Sequence, residues 1–409
     1  MTSLFRPVAE PQIVEQSFTE DQHRRLDAVM RRSGPHSLIL AQYFTAPSEV
    51  VATLWDKVPE DEQPSWDMFL TPVFRSFLGK GGVCFHPEVE DCFLNSRFLD
   101  LARSHWGAKY AHADEMYFSL QGPARGGDTA HVDATRFRGI SMNNSPTWLM
   151  NLMAKSGLFK RWQAKKAQVA TWYYKGRVGG GFTYWPNGPD APPKQIKAPM
   201  WGRVVVVENE MMYHTAEATG PAALRQPEGL AFQSLLNAEP GSDGWQITTD
   251  GRVIQRILAD EMRVLIHWSA DVFMDDQELK VSLDQSDDLS HAEVFDIFIR
   301  DMRRRGERIE VPSDPMKAPT SSRTSRASII RARPASTRRN PKRRRSRREG
   351  FPKPDLFCAP PLDRADRCNA AVLDGDIGNP PIDAGAVDYR PRPNNEITLA
   401  GHFFQPSQS

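Results

Sequence analysis

The sequence predicts a β-rich α+β protein: a double-stranded β-helix (jelly roll) core with flanking helices and a disordered C-terminal tail. Three observations lead there. From residue 115 onward, short apolar and aromatic runs with strand character recur between Gly and Pro turn signals, the pattern of a two-sheet antiparallel fold. Residues 17–108 instead carry apolar residues at helical spacing. After Pro312 that periodicity stops, and Ser, Pro and Arg dominate, a composition too poor in apolar surface to fold.

The division that follows is a flexible leader over 1–16, a folded domain over 17–310, and a disordered basic and Pro-rich tail over 311–409. Within the domain, 17–108 is the helical part and about 109–275 the core. Phe18 to Arg32 reads as a helix with Thr19 as its N-cap. Glu49 to Val58 and Phe93 to Trp106 read as further helices. Strands are expected at Glu115–Gln121, Thr129–Asp133, Val169–Tyr174, Trp201–Val207, Gly229–Leu236 and Arg263–Ser269. Pro146 to Lys166 is amphipathic and reads as a helical insertion, and the insertion over 139–168 is a candidate lid or substrate wall. A last helix is expected over 292–305.

Composition narrows the class. With 40% hydrophobic and 25% charged residues the 409-residue chain is ordinary for a globular protein. No apolar run reaches the roughly 18 residues of a membrane span, and the start lacks an apolar signal core, so a cytoplasmic protein with no membrane partner is expected. The four cysteines are scattered without a CxxC pair, which argues against a disulfide framework or zinc ribbon. The net charge of +1 hides 13 basic and no acidic residues between Lys317 and Arg348, leaving −12 on the rest. That basic run contains no aromatic residue, so base stacking is not available to it. It reads as a solvated tail, with nucleic-acid contact as the alternative.

The chemistry centres on His131-Val-Asp133. Residues two apart on a strand share a face, so an imidazole and a carboxylate can reach one ion. A third ligand must come from another strand. His214, just beyond the Val204–Val207 run, is the best candidate. Two histidines and a carboxylate on one side leave positions open for substrate and O₂, a set that suits non-haem Fe(II). His267 reads as a core or rim histidine rather than a ligand.

The segment from Tyr117 to Leu236 resembles the Fe(II)/2-oxoglutarate-dependent dioxygenases, in particular the prolyl-hydroxylase-like type. The resemblance rests on order: His131-Val-Asp133, then Trp172-Tyr173-Tyr174, then Gly179-Gly180-Gly181-Phe182-Thr183-Tyr184-Trp185-Pro186. Next come Pro199 to Val207, His214 and Arg225. It implies His131, Asp133 and His214 as metal ligands and catalytic centre, with Fe(II), 2-oxoglutarate and O₂ as cofactor and cosubstrates. It also implies Arg225 as the anchor for the distal carboxylate of 2-oxoglutarate, a role that suits a guanidinium fork; Arg252 and Arg263 are rivals. Tyr117 and Gln121 are candidates beside the cosubstrate. Trp172, Tyr184 and Trp185 are candidates for the substrate pocket, with core packing the alternative for each. The activity implied is hydroxylation of a small organic molecule or amino-acid-derived substrate, with release of succinate and CO₂. The alternatives are a non-catalytic metal-binding protein on the same fold, or an oxygenase directed to protein or nucleic acid by its basic tail.

Overall fold

The computed structural model describes residues 5–15, 17–44, 47, 65–126, 130–145 and 147–306. The expected helix over Glu49–Val58 and the expected disorder after residue 310 lie outside them. The chain enters through strand β1 (Gln12–Glu15) and helix α1 (Glu20–Arg32). The leader is therefore not loose over residues 12–15: β1 pairs with a Val-rich strand of the core. Helix α1 begins where Thr19 accepts the Gln22 N–H and the Gln22 side chain answers on the Thr19 N–H, closing a capping box. Its buried residues Leu26, Val29 and Met30 recur at helical spacing.

Strand β2 (His36–Leu38), helix α2 (Ile39–Tyr43), strands β3 (Val73–Lys80) and β4 (Val83–Cys84), and helices α3 (Glu90–Phe93) and α4 (Ser96–Trp106) follow. Asn95 caps α4, and Gly107 ends it at φ 65°, a left-handed conformation that glycine adopts at little cost. The remainder runs β5 (Tyr110–Gln121), α5 (Thr147–Ser156), β6 (Lys166–Tyr174), β7 (Phe182–Trp185), β8 (Lys194–Ile196), β9 (Met200–Val207) and β10 (Tyr213–Ala216). Then come β11 (Leu235–Ala238), β12 (Trp245–Thr249), β13 (Arg252–Ile257), β14 (Arg263–Phe273), α6 (Asp276–Asp284) and α7 (His291–Arg304).

The strands form a large antiparallel sheet in the order β1-β9-β6-β14-β5-β3-β2-β11-β12-β13, with β4 beside β3, and a small one in the order β10-β7-β8. Strand alternation decides what each face buries. In β9, Val204 and Val206 pack toward Leu26, Val29 and Phe98 of the helices. Val205 and Val207 pack the other way, onto Phe182 and Tyr184 of the small sheet. A strand covered on both faces reads as a continuous apolar run, which is why Val204–Val207 was conspicuous in the sequence.

The insertion after β5 builds its own core. Leu149, Met150 and Met153 of α5 join Phe137, Ile140 and Phe159 against Val294 and Phe298 of α7. Two expected strands change. Gly229 to Ser234 is turn, and β11 begins at Leu235. His131 makes a single isolated bridge to His214, and Val132 to Arg136 are irregular. Among the described residues no helix is long and apolar enough to cross a membrane.

Candidate metal centre

His131 and His214 are brought together by backbone pairing. The His131 N–H donates to the His214 carbonyl at 3.0 Å, and the His214 N–H returns the bond to His131 at 2.9 Å. Asp133 is held two residues on, its N–H donating to the Asn209 carbonyl at 3.0 Å. The side chains converge: Asp133 Oδ1 lies 3.8 Å from His131 Nε2 and 3.7 Å from His214 Nε2. The ligand atoms of all three fall within 4.8 Å of one another. Neighbouring ligands on one ion stand about 3 Å apart when each bond is about 2.1 Å, so the set fits an ion with a small contraction.

The electrostatics agree with that fit. Burial works to raise the Asp133 pKa, but the neighbouring His214, His131, His267 and Arg75 side chains outweigh it and hold the carboxyl below its ordinary value. His214 is oriented by a 3.0 Å contact between Nδ1 and the Met212 carbonyl. With that nitrogen donating, Nε2 presents its lone pair to the centre, the usual support for a metal-bound histidine.

The face of the large sheet turned to this centre is legible from register. Along β14, Arg263 stands opposite Gln121, Leu265 opposite Ser119 and His267 opposite Tyr117 of β5. On the other flank, Leu265 faces Trp172, His267 faces Ala170 and Asp271 faces Lys166 of β6. One end of this face is built around Arg263, which is 3% exposed. Its Nε donates to the Gly180 carbonyl at 2.8 Å, one terminal nitrogen reaches the Gln121 Oε1 at 3.5 Å, and the guanidinium stands 6.0 Å from the Trp172 ring. Burial pulls its pKa down to about 10, and Tyr174 and Glu217 only partly offset this. Gln121 is also buried and donates to the Thr219 hydroxyl.

Arg225, the expected anchor, sits at the end of a short 3₁₀ turn, partly exposed, with Nε donating to the Gly220 carbonyl at 3.0 Å. Arg252 opens β13 and is exposed. Tyr117 lies on the site face, its ring under the Arg75 guanidinium at 4.1 Å and stacked with His267 at 4.5 Å. Trp172 packs on Phe182 (5.1 Å), which in turn meets His214 (5.7 Å). Tyr184 belongs to the same cluster. Trp185 packs instead with Phe5 and Tyr213, against Val132 between the two first ligands.

Sequence reasoning read one group near the centre as a core or rim histidine and passed over two others. His267 is buried, its pKa pushed down to about 3 by burial, and neither ring nitrogen has a hydrogen-bond partner among the described residues. Glu210 is buried beside Gln168 (2.7 Å), and burial lifts its carboxyl to about 7. Asn209 holds Asp133 through its backbone. The one available signal was that Glu208-Asn-Glu210 places polar residues directly after a wholly apolar strand.

No protein-family model matches the chain, and no curated protein does. Solved structures do. A Pseudomonas putida prolyl-4-hydroxylase is 11% identical with a TM-score of 0.31, covering 64% of this chain and 92% of its own. SnoK, a non-haem α-ketoglutarate-dependent carbocyclase from nogalamycin biosynthesis, is 12% identical with a TM-score of 0.34, covering 67% and 86%. HygX from Streptomyces hygroscopicus, solved with nickel, 2-oxoglutarate and hygromycin B, is 10% identical with a TM-score of 0.32, covering 65% and 84%. Scores this low carry no weight beside the geometry of the centre. By motif order, and in the structures it matches, what this chain is similar to is the Fe(II)/2-oxoglutarate-dependent oxygenases.

Proposed function

We propose that this chain is an Fe(II)- and 2-oxoglutarate-dependent oxygenase that hydroxylates a small organic molecule, on a core whose two sheets are the halves of a jelly roll. The observation that supports it most is the convergence of His131, Asp133 and His214 within 4.8 Å, from segments more than eighty residues apart in sequence. Two imidazoles and one carboxylate on one side form the facial set of non-haem iron oxygenases. In such enzymes the bound iron, with 2-oxoglutarate and O₂, supplies the oxidising power and leaves succinate and CO₂.

The protein's own residues do the rest. His131, Asp133 and His214 would hold the ion, with His214 steered by the Met212 carbonyl. Arg263 would take the far carboxylate of 2-oxoglutarate, in place of Arg225. It is a buried cation facing the interior, its fork only partly used by Gly180 and Gln121, and a carboxylate matches that fork in bidentate geometry. Gln121, beside it, would fix the fork's orientation. Trp172 and Tyr184 would exclude water from that end. In related halogenases the carboxylate ligand is replaced by a small residue that makes room for halide; Asp133 fills that place, so hydroxylation is the outcome assigned.

The test is succinate formation from 2-oxoglutarate in air, with Fe(II) binding measured on the same samples. Wild type is expected to bind about one Fe(II) and to release succinate. Asp133→Ala is expected to weaken metal binding by at least roughly a hundredfold, since even outer supports of a metal site cost tenfold to a hundredfold. Folded wild-type protein that binds no Fe(II) would sink the reading.

A further inference from the structure

Resting on that reading, the substrate side of the same centre can be given a chemistry. Beyond the metal, away from Arg263, the site face presents hydrogen-bond acceptors that the chain leaves unsatisfied. Asn209 is 5% exposed, and its Oδ1 has no partner among the described residues. His267 is 6% exposed and lies flat on Tyr117, with both ring nitrogens unpartnered among the described residues. Glu115, one step along the face from His267 by register, makes no side-chain hydrogen bond among the described residues. Burial raises its pKa, and Lys166, Lys80 and Arg75 only partly oppose this.

The charges around this patch are already engaged. Lys166 pairs with Asp114 at 2.8 Å, and Arg136 pairs with Asp271. Lys80, across from Glu115, is exposed and lies over the Phe77 ring at 5.4 Å. Arg75 is stacked on Tyr117. Four carboxyl groups, Asp114, Glu115, Asp271 and Glu210, stand around the patch against three partly buried cations, Lys166, Arg136 and Arg75, with Lys80 exposed at its edge. A buried acceptor without a donor is costly, and a ligand that brings donors removes that cost. An anionic ligand would instead meet several carboxylates at close range.

We propose that this patch is the substrate subsite, and that the substrate is a small molecule bearing a protonated amine. The amine seats on the Glu115 carboxylate, and a neighbouring N–H or O–H is accepted by Asn209 Oδ1. His267, neutral, donates one N–H and accepts at its other ring nitrogen. An ionised carboxylate only accepts, and an ammonium gives it a charge-assisted hydrogen bond that the neutral N–H of an acetamide does not, which selects for the ammonium group at that position.

The experiment uses the full chain loaded with Fe(II) and 2-oxoglutarate without O₂, with binding read by calorimetry and the iron site followed by its visible charge-transfer band. The probes are glucosamine and putrescine, each beside its fully N-acetylated form, with gluconate as the anionic control. At least one amine is expected to bind roughly tenfold or more tighter than its acetylated form and than gluconate, the size of one charge-assisted hydrogen bond. Glu115→Gln is expected to remove that preference while the band stays, and Glu115→Asp to keep part of it. Amine and acetylated forms binding alike, or a preference that survives Glu115→Gln, overturns the proposal. Absence of the band in folded wild type overturns the oxygenase reading instead, and the amine preference then stands or falls on the calorimetry alone.

Discussion

Arg263 and Arg225 give the sharpest division between two anchors for 2-oxoglutarate. Arg263 is 3% exposed, and two of its contacts are to neutral oxygens, at 2.8 and 3.5 Å. Among the described residues no carboxylate forms an ion pair with it, and burial, only partly offset by Tyr174 and Glu217, pulls its pKa down to about 10, still well above neutral pH. A dicarboxylate that docked there would add two charge-assisted hydrogen bonds in place of none. Each contributes about 1.5–3 kcal/mol, so their loss amounts to about 3 kcal/mol or more, or roughly a hundredfold in affinity. Arg263→Gln is expected to raise the 2-oxoglutarate Kd by that factor. Arg263→Lys, which keeps the charge and loses the fork, falls in between at roughly tenfold. Arg225→Gln should change Kd by less than roughly threefold, because a partly exposed arginine that already donates to Gly220 contributes little. The assay is an anaerobic titration of 2-oxoglutarate into the Fe(II)-loaded protein, read at the visible charge-transfer band. Mn(II) binding serves as the check that each variant keeps its metal centre. A Kd lost in Arg225→Gln and preserved in Arg263→Gln would refute the reasoning.

Three further outcomes follow from the packing. Glu208 is 3% exposed, and its carboxyl is raised to about 8 mainly by burial, against an ordinary value of 4.5. Between those values the folded state holds a proton that the unfolded chain has released, so stability falls as pH rises through the window, by up to a few kcal/mol. Glu208→Gln should flatten that slope in urea melts, and an unchanged slope would remove Glu208 as its source. Trp268 is fully buried, donates to the Phe93 carbonyl at 2.7 Å and meets the Phe98 ring edge-on at 5.4 Å. Trp268→Ala should cost about 3–5 kcal/mol in chemical denaturation, with metal affinity unchanged in the folded fraction. Thr19→Ala should cost about 1 kcal/mol, with faster amide exchange at Gln22; unaltered exchange there would mean that the cap does not hold the first turn.

Local chemistry made much of this protein readable in one dimension. Val204–Val207 announces a strand buried on both faces because alternation is suppressed when neither face meets water. Thr19 and Gln22 announce a helix start because the capping box needs only residues three apart. His131 and Asp133 are legible as a candidate ligand pair because residues two apart on an extended segment share a face, although Val132 to Arg136 prove irregular, and His214 is legible as the candidate third from its place just beyond the Val-rich run. Pairing between distant segments was not legible. Nothing local in residues 12–15 says that they add a strand to β9, because an edge strand is defined by its partner. The proposed anchor illustrates the same limit. Arg225 follows His214 at the spacing the family resemblance implies, whereas Arg263 lies beyond β11, β12 and β13. Only the register of β14 against β5 and β6 turns Arg263 inward, buries it beside Gln121 and leaves its fork facing the interior. His267 and Glu115 likewise acquire meaning from that register. A side chain's type is written in the sequence, but its desolvation and its unsatisfied hydrogen bonds are set by which strands the fold places beside it.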